Sequence, residues 1–210
     1  LLLRRLPPIF GSPRRIILCD LAGQRWRLEQ LADELRGTPG WAGEVAIAEA
    51  GPAAPAALYQ ADVIVAATST PGCVDAALLR PGAILVDDSF PPCLDTAAAI
   101  RRMREAGDVL VVGGGLLDCG PSQRIIYLPA GAERLRALVS AQVPPQASAS
   151  CQLESLLQAA DPTLPLIHGL VGQEAAERYW QAVPAAGFGA APLHLEDYRP
   201  DPAALALQRA

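Results

Sequence analysis

Cys151 follows the run Ala147-Ser-Ala-Ser150, a setting that gives its thiol chemistry to do. Ser148 or Ser150 can cap a helix, which puts Cys151 in the first turn, where unpaired amides and the macrodipole stabilise a thiolate. A thiolate so placed attacks a thioester or other acyl group. Glu154 lies one turn further on the same face and can relay a proton, although its charge opposes thiolate formation. A free Cys on a helix is also commonly an inert core residue. His168 and His194 are the two candidates for a base, and the spacing selects neither.

A second set of residues suits a nucleotide. Thr68-Ser-Thr-Pro-Gly72, Asp87-Asp-Ser-Phe-Pro91 and Gly113-Gly-Gly115 each follow a short apolar run. In a doubly wound sheet such segments lie at the carboxyl ends of strands, where ligands bind. The hydroxyls of Thr68, Ser69 and Thr70 can bond ribose or phosphate, and Gly113 and Gly114 let a ligand approach the backbone. Each segment alone also reads as an ordinary turn. Asp20 ends a strand-like run, where its carboxylate either bonds the ribose hydroxyls of NAD or caps the following helix. Arg25, with Arg27 close by, suits the 2′-phosphate of NADP instead.

The elements that must hold these residues follow from periodicity. Arg15–Asp20, Glu44–Ala48, Ala61–Ala67, Ala83–Asp87 and Val109–Val112 read as five strands, the third apolar enough to be covered on both faces. Trp26, Leu28, Leu31, Ala32 and Leu35 mark one helix. A short helix fits 74–79, and Asp95 to Ala106 forms another, with Asp95 or Thr96 near its start and Gly107 past its end. Strand and helix alternating at this spacing predict a doubly wound, mostly parallel α/β sheet of the Rossmann-like kind. A further strand is expected at 124–128 and a linker at 144–150. Helices are expected at 151–160, with Leu153, Leu156, Leu157 and Ala160 as its buried stripe, and at 173–183. The Pro- and Asp-rich end is expected to fray. The chain thus divides into a Rossmann-like domain over 1–145 and a C-terminal helical segment over 146–210.

Composition narrows the function. Of 210 residues 51% are hydrophobic and 19% charged, enough apolar content for a folded core. The apolar runs fall well short of the roughly 20 residues of a membrane helix. The net charge of −5 and the lack of a dense basic run argue against nucleic acid as the main partner. All 17 basic residues are Arg, so neither Schiff-base catalysis nor a P-loop lysine is open to this chain. His194 has acids nearby but no second His or Cys at ligand spacing, which speaks against zinc. The five cysteines form no CxxC pair and read as reduced, cytoplasmic thiols. Cys19, Cys73, Cys93 and Cys119 are expected in or near the core.

No G-x-G-x-x-G run precedes Asp20, although a dinucleotide domain uses one to cradle pyrophosphate. Residues 1–6 suit the remainder of a first helix, and the distance from it to Asp20 is about what that fingerprint requires. The expectation is a larger reductase cut inside its first helix, its first strand and glycine loop lying upstream of Leu1.

Five segments in this order resemble one family: Ala61-Asp-Val-Ile-Val with Ser69, Pro71 and Gly72; Leu85-Val-Asp-Asp-Ser-Phe-Pro-Pro-Cys-Leu94; Val109-Leu-Val-Val-Gly-Gly-Gly115; Ser150-Cys-Gln-Leu-Glu-Ser-Leu156; and Ala185-Ala-Gly-Phe-Gly189. Together they resemble the aldehyde-forming long-chain acyl-(acyl-carrier-protein) reductases of cyanobacterial type. The resemblance implies an NAD(P)H-dependent oxidoreductase, with NADP or NAD as cofactor. Its substrate would be a thioester of acyl-carrier protein or CoA. Cys151 would be the acylated nucleophile and Glu154 its neighbouring acid. The chain departs from the family at Asp118-Cys119, where the family has Glu-His, and at Asp20, where it has an Arg type of residue. Two other readings stand beside it: a shikimate- or amino-acid-dehydrogenase-like oxidoreductase with no covalent step, and a non-catalytic Rossmann-like binding module.

Overall fold

The computed structural model describes residues 13–38, 41–120, 147–167, 171–201 and 203. The expected helix remnant at 1–6, the strand at 124–128, Pro144-Pro145 and His168 lie outside these residues. The chain forms two compact units that divide between Val111 and Val112.

In the first unit, β1 (Arg15–Leu21), α1 (Arg25–Arg36) and β2 (Glu44–Ala50) make one crossover. β1 and β2 pair in parallel from Arg15↔Glu44 to Leu21↔Ala50. A strand shows alternate residues to one face, and that alternation turns Ile16 and Leu18 of β1 and Val45 and Ile47 of β2 toward α1. There they pack with Ala32, Leu35 and Trp41. Leu28, Ala32 and Leu35 are the buried stripe of α1, whereas Trp26 and Leu31 are exposed. All five fit a helical period; only three fall within the arc that a two-stranded sheet can cover.

β3 (Val63–Ala66), β4 (Ile84–Asp87) and β5 (Leu110–Gly113) form a second sheet in that order. β3 and β4 are parallel, Val63 opposite Ile84 and Ala66 opposite Asp87. α2 (Thr96–Glu105) crosses from β4 to β5. Asp95 caps it by accepting from the Ala98 N–H at 3.0 Å. Gly107, at φ +61°, ends it in the left-handed conformation that glycine adopts without strain. Ala99 and Met103 face the core. The short helix expected at 74–79 is a 3-10 turn over Ala76–Leu78, with Asp75 as its cap.

Burial runs across this sheet. Leu110, Val111 and Val112 of β5 are all buried, but Val63 and Val65 of β3 are 58% and 54% exposed. The expectation that this third strand is covered on both faces therefore fails on one of them. β3 is a sheet edge, and among the described residues β4 alone pairs with it. Composition marks a strand as apolar without saying what covers it. The described strands of this unit form two sheets, β1–β2 and β3–β4–β5, and the fold is mixed α/β with parallel pairing.

The second unit holds more than helices. β6 (Leu116–Asp118) is the centre of a sheet flanked by β7 (Ala147–Ala149) and β8 (Gly189–Ala190), both antiparallel to it. Besides the helices expected after residue 146, this stretch carries β7 and β8. These strands are short and built of Ala, Ser and Gly, so no apolar alternation announces them. α3 (Ser150–Ala160) buries Leu153 and Leu157 against Leu164, with Leu117, Tyr179, Ala182, Val183 and Phe188 around them. Leu156 and Ala160, expected in that stripe, are exposed. α4 (Gln173–Ala185) supplies Tyr179, Ala182 and Val183. Beyond β8, part of the end expected to fray forms a tight turn. Leu195 and Tyr198 exchange backbone hydrogen bonds of 2.9 and 3.0 Å there.

Candidate functional site

The loops after β3 and β4 are stitched together in the first unit. The Thr68 N–H donates to Ser89 Oγ at 3.0 Å, and the Thr70 N–H donates to Thr68 Oγ1 at 3.1 Å. Below them the Asp87 carboxylate accepts from the Ser89 N–H at 3.1 Å and from the Cys93 N–H at 2.9 Å. Further along, the Val74 N–H donates to the Cys93 carbonyl at 2.8 Å. A hydroxyl whose oxygen accepts from the backbone keeps its own proton to donate. Thr68 therefore offers an O–H donor at the carboxyl end of β3, with Ser69 exposed beside it, while the Ser89 hydroxyl is engaged with the Cys93 thiol. Asp88 also belongs to this loop, and its carboxyl is pushed up by loss of solvation and then by the Asp87 charge.

At the end of β1 the exposed Asp20 accepts from the neighbouring Leu21 N–H at 2.7 Å. It does not cap α1, whose N-cap is Gln24, without a side-chain bond. The reading of Asp20 as a cap is thereby corrected: a 3-10 turn over Ala22–Gln24 separates it from the helix. Arg25 is already engaged, donating to Glu29 at 2.9 Å and to Glu49 at 2.7 Å. Glu49 is also the register partner of Asp20, so Arg25 balances an acidic strand end. Arg27 lies over the Trp26 ring at 5.6 Å.

The thiols differ in access. Cys93 and Cys119 are buried, Cys73 is half-buried, and Cys19 and Cys151 are exposed. Cys19 was expected in or near the core; its strand is there, but β1 has no buried residue. Burial pushes the Cys19, Cys73, Cys93 and Cys119 thiols up, with Asp87 adding to the effect at Cys93.

Cys151 sits in the first turn of α3, as its sequence context predicts, although the cap differs. The N-cap is Ala149. Ser148 lies in β7 opposite Leu117, and Ser150 is the first helical residue, its N–H donating to the Gly115 carbonyl at 2.8 Å. Glu154 is half-buried. Its charge, after burial, helps to push the Tyr179 phenol of α4 up.

Gly113 has a role inside the second unit. Its N–H donates to the His194 carbonyl at 2.6 Å, and a Cβ added to it would come within 3.0 Å of His194 Nε2. A side chain there would have to push the imidazole aside. His194 is only 5% exposed. No sequence spacing announces this placement, because it depends on the register of β8 against β6. Among the described residues no group of three or more His, Cys, Asp and Glu could hold a metal ion. No described helix is long and apolar enough to cross a membrane.

The architecture is that of a mixed α/β protein with parallel strands, polar loops at their carboxyl ends, and an exposed thiol at a helix start. Compared with known proteins, the chain matches no family model and no curated protein sequence.

Proposed function

We propose that this chain is part of an NAD(P)H-dependent oxidoreductase that reduces an acyl thioester, carried on acyl-carrier protein or CoA, to an aldehyde through Cys151. The observation that carries the reading is the exposed Cys151 thiol in the first turn of α3, where backbone N–H groups lack helical partners and favour negative charge. Cys151 Sγ attacks the acyl carbonyl, an enzyme thioester forms, and the carrier leaves as its thiol with the proton from Cys151. A reduced nicotinamide, when bound, supplies the hydride that releases the aldehyde and frees the Cys151 thiolate.

The residues fit a dinucleotide in part. The Asp20 carboxylate and the O–H donor of Thr68 match ribose chemistry, while no G-x-G-x-x-G run is present to cradle pyrophosphate. Arg25, occupied by Glu29 and Glu49, favours NAD over NADP in this reading. We take β1–β2 and β3–β4–β5 as the two wings of one doubly wound sheet, in the order β2-β1 then β3-β4-β5, with the central position between β1 and β3. Both wings have parallel pairing, and β1 and β3 are each a sheet edge among the described residues. Cys73, beyond β3, adds to the upward push on the Cys19 thiol near the end of β1, after burial and Asp20.

The test incubates the 210-residue chain with palmitoyl-CoA, follows acyl transfer by intact mass, and titrates NADH and NADPH by fluorescence. Acylation mapped to Cys151 and lost in Cys151→Ser is the expected result. Nucleotide binding without acylation would favour a dehydrogenase with no covalent step, and neither result would favour a binding module.

A further inference from the structure

The second unit supplies Cys151 with a partner, and the inference rests on the reading of Cys151 given above. β7 and β8 flank β6 and both run antiparallel to it. Their carboxyl ends therefore emerge at one end of the sheet, the end at which the chain enters β6 from Gly113-Gly-Gly115. α3, with Cys151 in its first turn, leaves from β7, and the segment that carries His194 leaves from β8. Both are fastened to the same glycine run. The Ser150 N–H donates to the Gly115 carbonyl at 2.8 Å, and the Gly113 N–H donates to the His194 carbonyl at 2.6 Å. The outer strands of a three-stranded sheet lie about 10 Å apart. Three glycines place no side chain in that gap.

His194 brings an independent observation. The residue is 5% exposed, and its Nδ1 lies 3.0 Å from the Pro192 carbonyl. A carbonyl only accepts, so Nδ1 carries the proton in the neutral ring and Nε2 presents its lone pair. Nε2 lies against the Cα face of Gly113, while Nδ1 makes the ring's bond to Pro192. A neutral imidazole held in this way offers Nε2 as a proton acceptor.

We propose that His194 is the acid–base partner of Cys151. Nε2 takes the Sγ proton as sulfur bonds to the acyl carbon, and returns that proton to the carrier sulfur as the carrier's carbon–sulfur bond breaks. The charge on the ring is transient, and no external proton is consumed.

The test is alkylation of the full chain by iodoacetamide, mapped by peptide mass spectrometry, with the exposed Cys19 as internal reference. At pH 7 Cys151 should react about tenfold or more faster than Cys19. His194→Asn keeps a donor for the Pro192 carbonyl but removes the base, and should slow Cys151 about tenfold relative to Cys19 in the same sample. At pH 10, where thiols ionise unaided, wild type and variant should react alike. His194→Gln serves if the Asn variant fails to fold by circular dichroism. A wild-type Cys151 no faster than Cys19, or a fast Cys151 unchanged in a folded variant, overturns the pairing. Fast, His194-dependent alkylation without acyl transfer from palmitoyl-CoA would leave the pairing standing and remove the proposed reaction.

Discussion

Arg102→Ala should destabilise the first unit by about 2–3 kcal/mol, less than the loss of a fully buried ion pair because solvent still reaches this one. The guanidinium holds Asp108 with two bonds of 2.9 and 2.8 Å and also donates to the Ala76 carbonyl at 2.6 Å. The two side chains are 17% and 26% exposed, which is why the full buried-pair value does not apply. One side chain thus ties α2 to the turn before β4 and to the start of β5. Its removal takes a donor from the Asp108 carboxylate and from the Ala76 and Ala77 carbonyls. In a unit of this size the loss corresponds to a fall in Tm of roughly 10 °C, measurable by thermal circular dichroism. The pH dependence has a definite sign. Arg102 holds the Asp108 carboxyl below its ordinary value, so the stabilisation is present above the unfolded value near about 4 and is lost as pH falls through the folded one. The stability gap between wild type and Arg102→Ala should therefore narrow in strong acid, down to the part owed to the Ala76 and Ala77 carbonyls.

Asp87→Asn should be costly despite being nearly isosteric. The two carboxylate oxygens accept from the Ser89 and Cys93 N–H groups, and the second bond is buried. An amide has one acceptor oxygen. Its NH2 group must then face one of the two backbone donors, so a hydrogen bond is lost and a buried N–H is left unmet, at about 2–3 kcal/mol. Chemical denaturation checks that figure. A second readout separates charge from packing: with the Asp87 charge gone, one of the influences pushing the Cys93 thiol up is removed, and Cys93 should be alkylated faster than in wild type at pH 9. Unchanged stability would mean that the loop after β4 is held by other contacts.

The sequence was most legible where structure is local. α2 could be placed almost to the residue because Asp95 and Gly107, its start and stop, lie within the segment itself. β1, β2, β4 and β5 were legible for a similar reason, as short apolar runs bounded by turns. The exposed face of β3 was not, because Val63 and Val65 look the same whether or not another element covers them. β7 was hidden by its composition, since Ala147-Ser-Ala149 resembles a linker and becomes a strand only through pairing with β6. The site followed the same division. Cys151 was legible from its place at a helix start, whereas His194 meets Gly113 across eighty positions of sequence, a contact that no local pattern records.

Two of the sheet edges that the described residues of the first unit leave unpaired, β1 and β3, bear on how the chain reaches its folded state. While β1 and β3 wait for cover, each offers an unsatisfied ladder of donors and acceptors, and β3 adds two exposed valines. A neighbouring molecule can satisfy such a ladder as well as the chain itself can. Renaturation is then a race between a first-order closure and a second-order encounter, and dilution decides the winner.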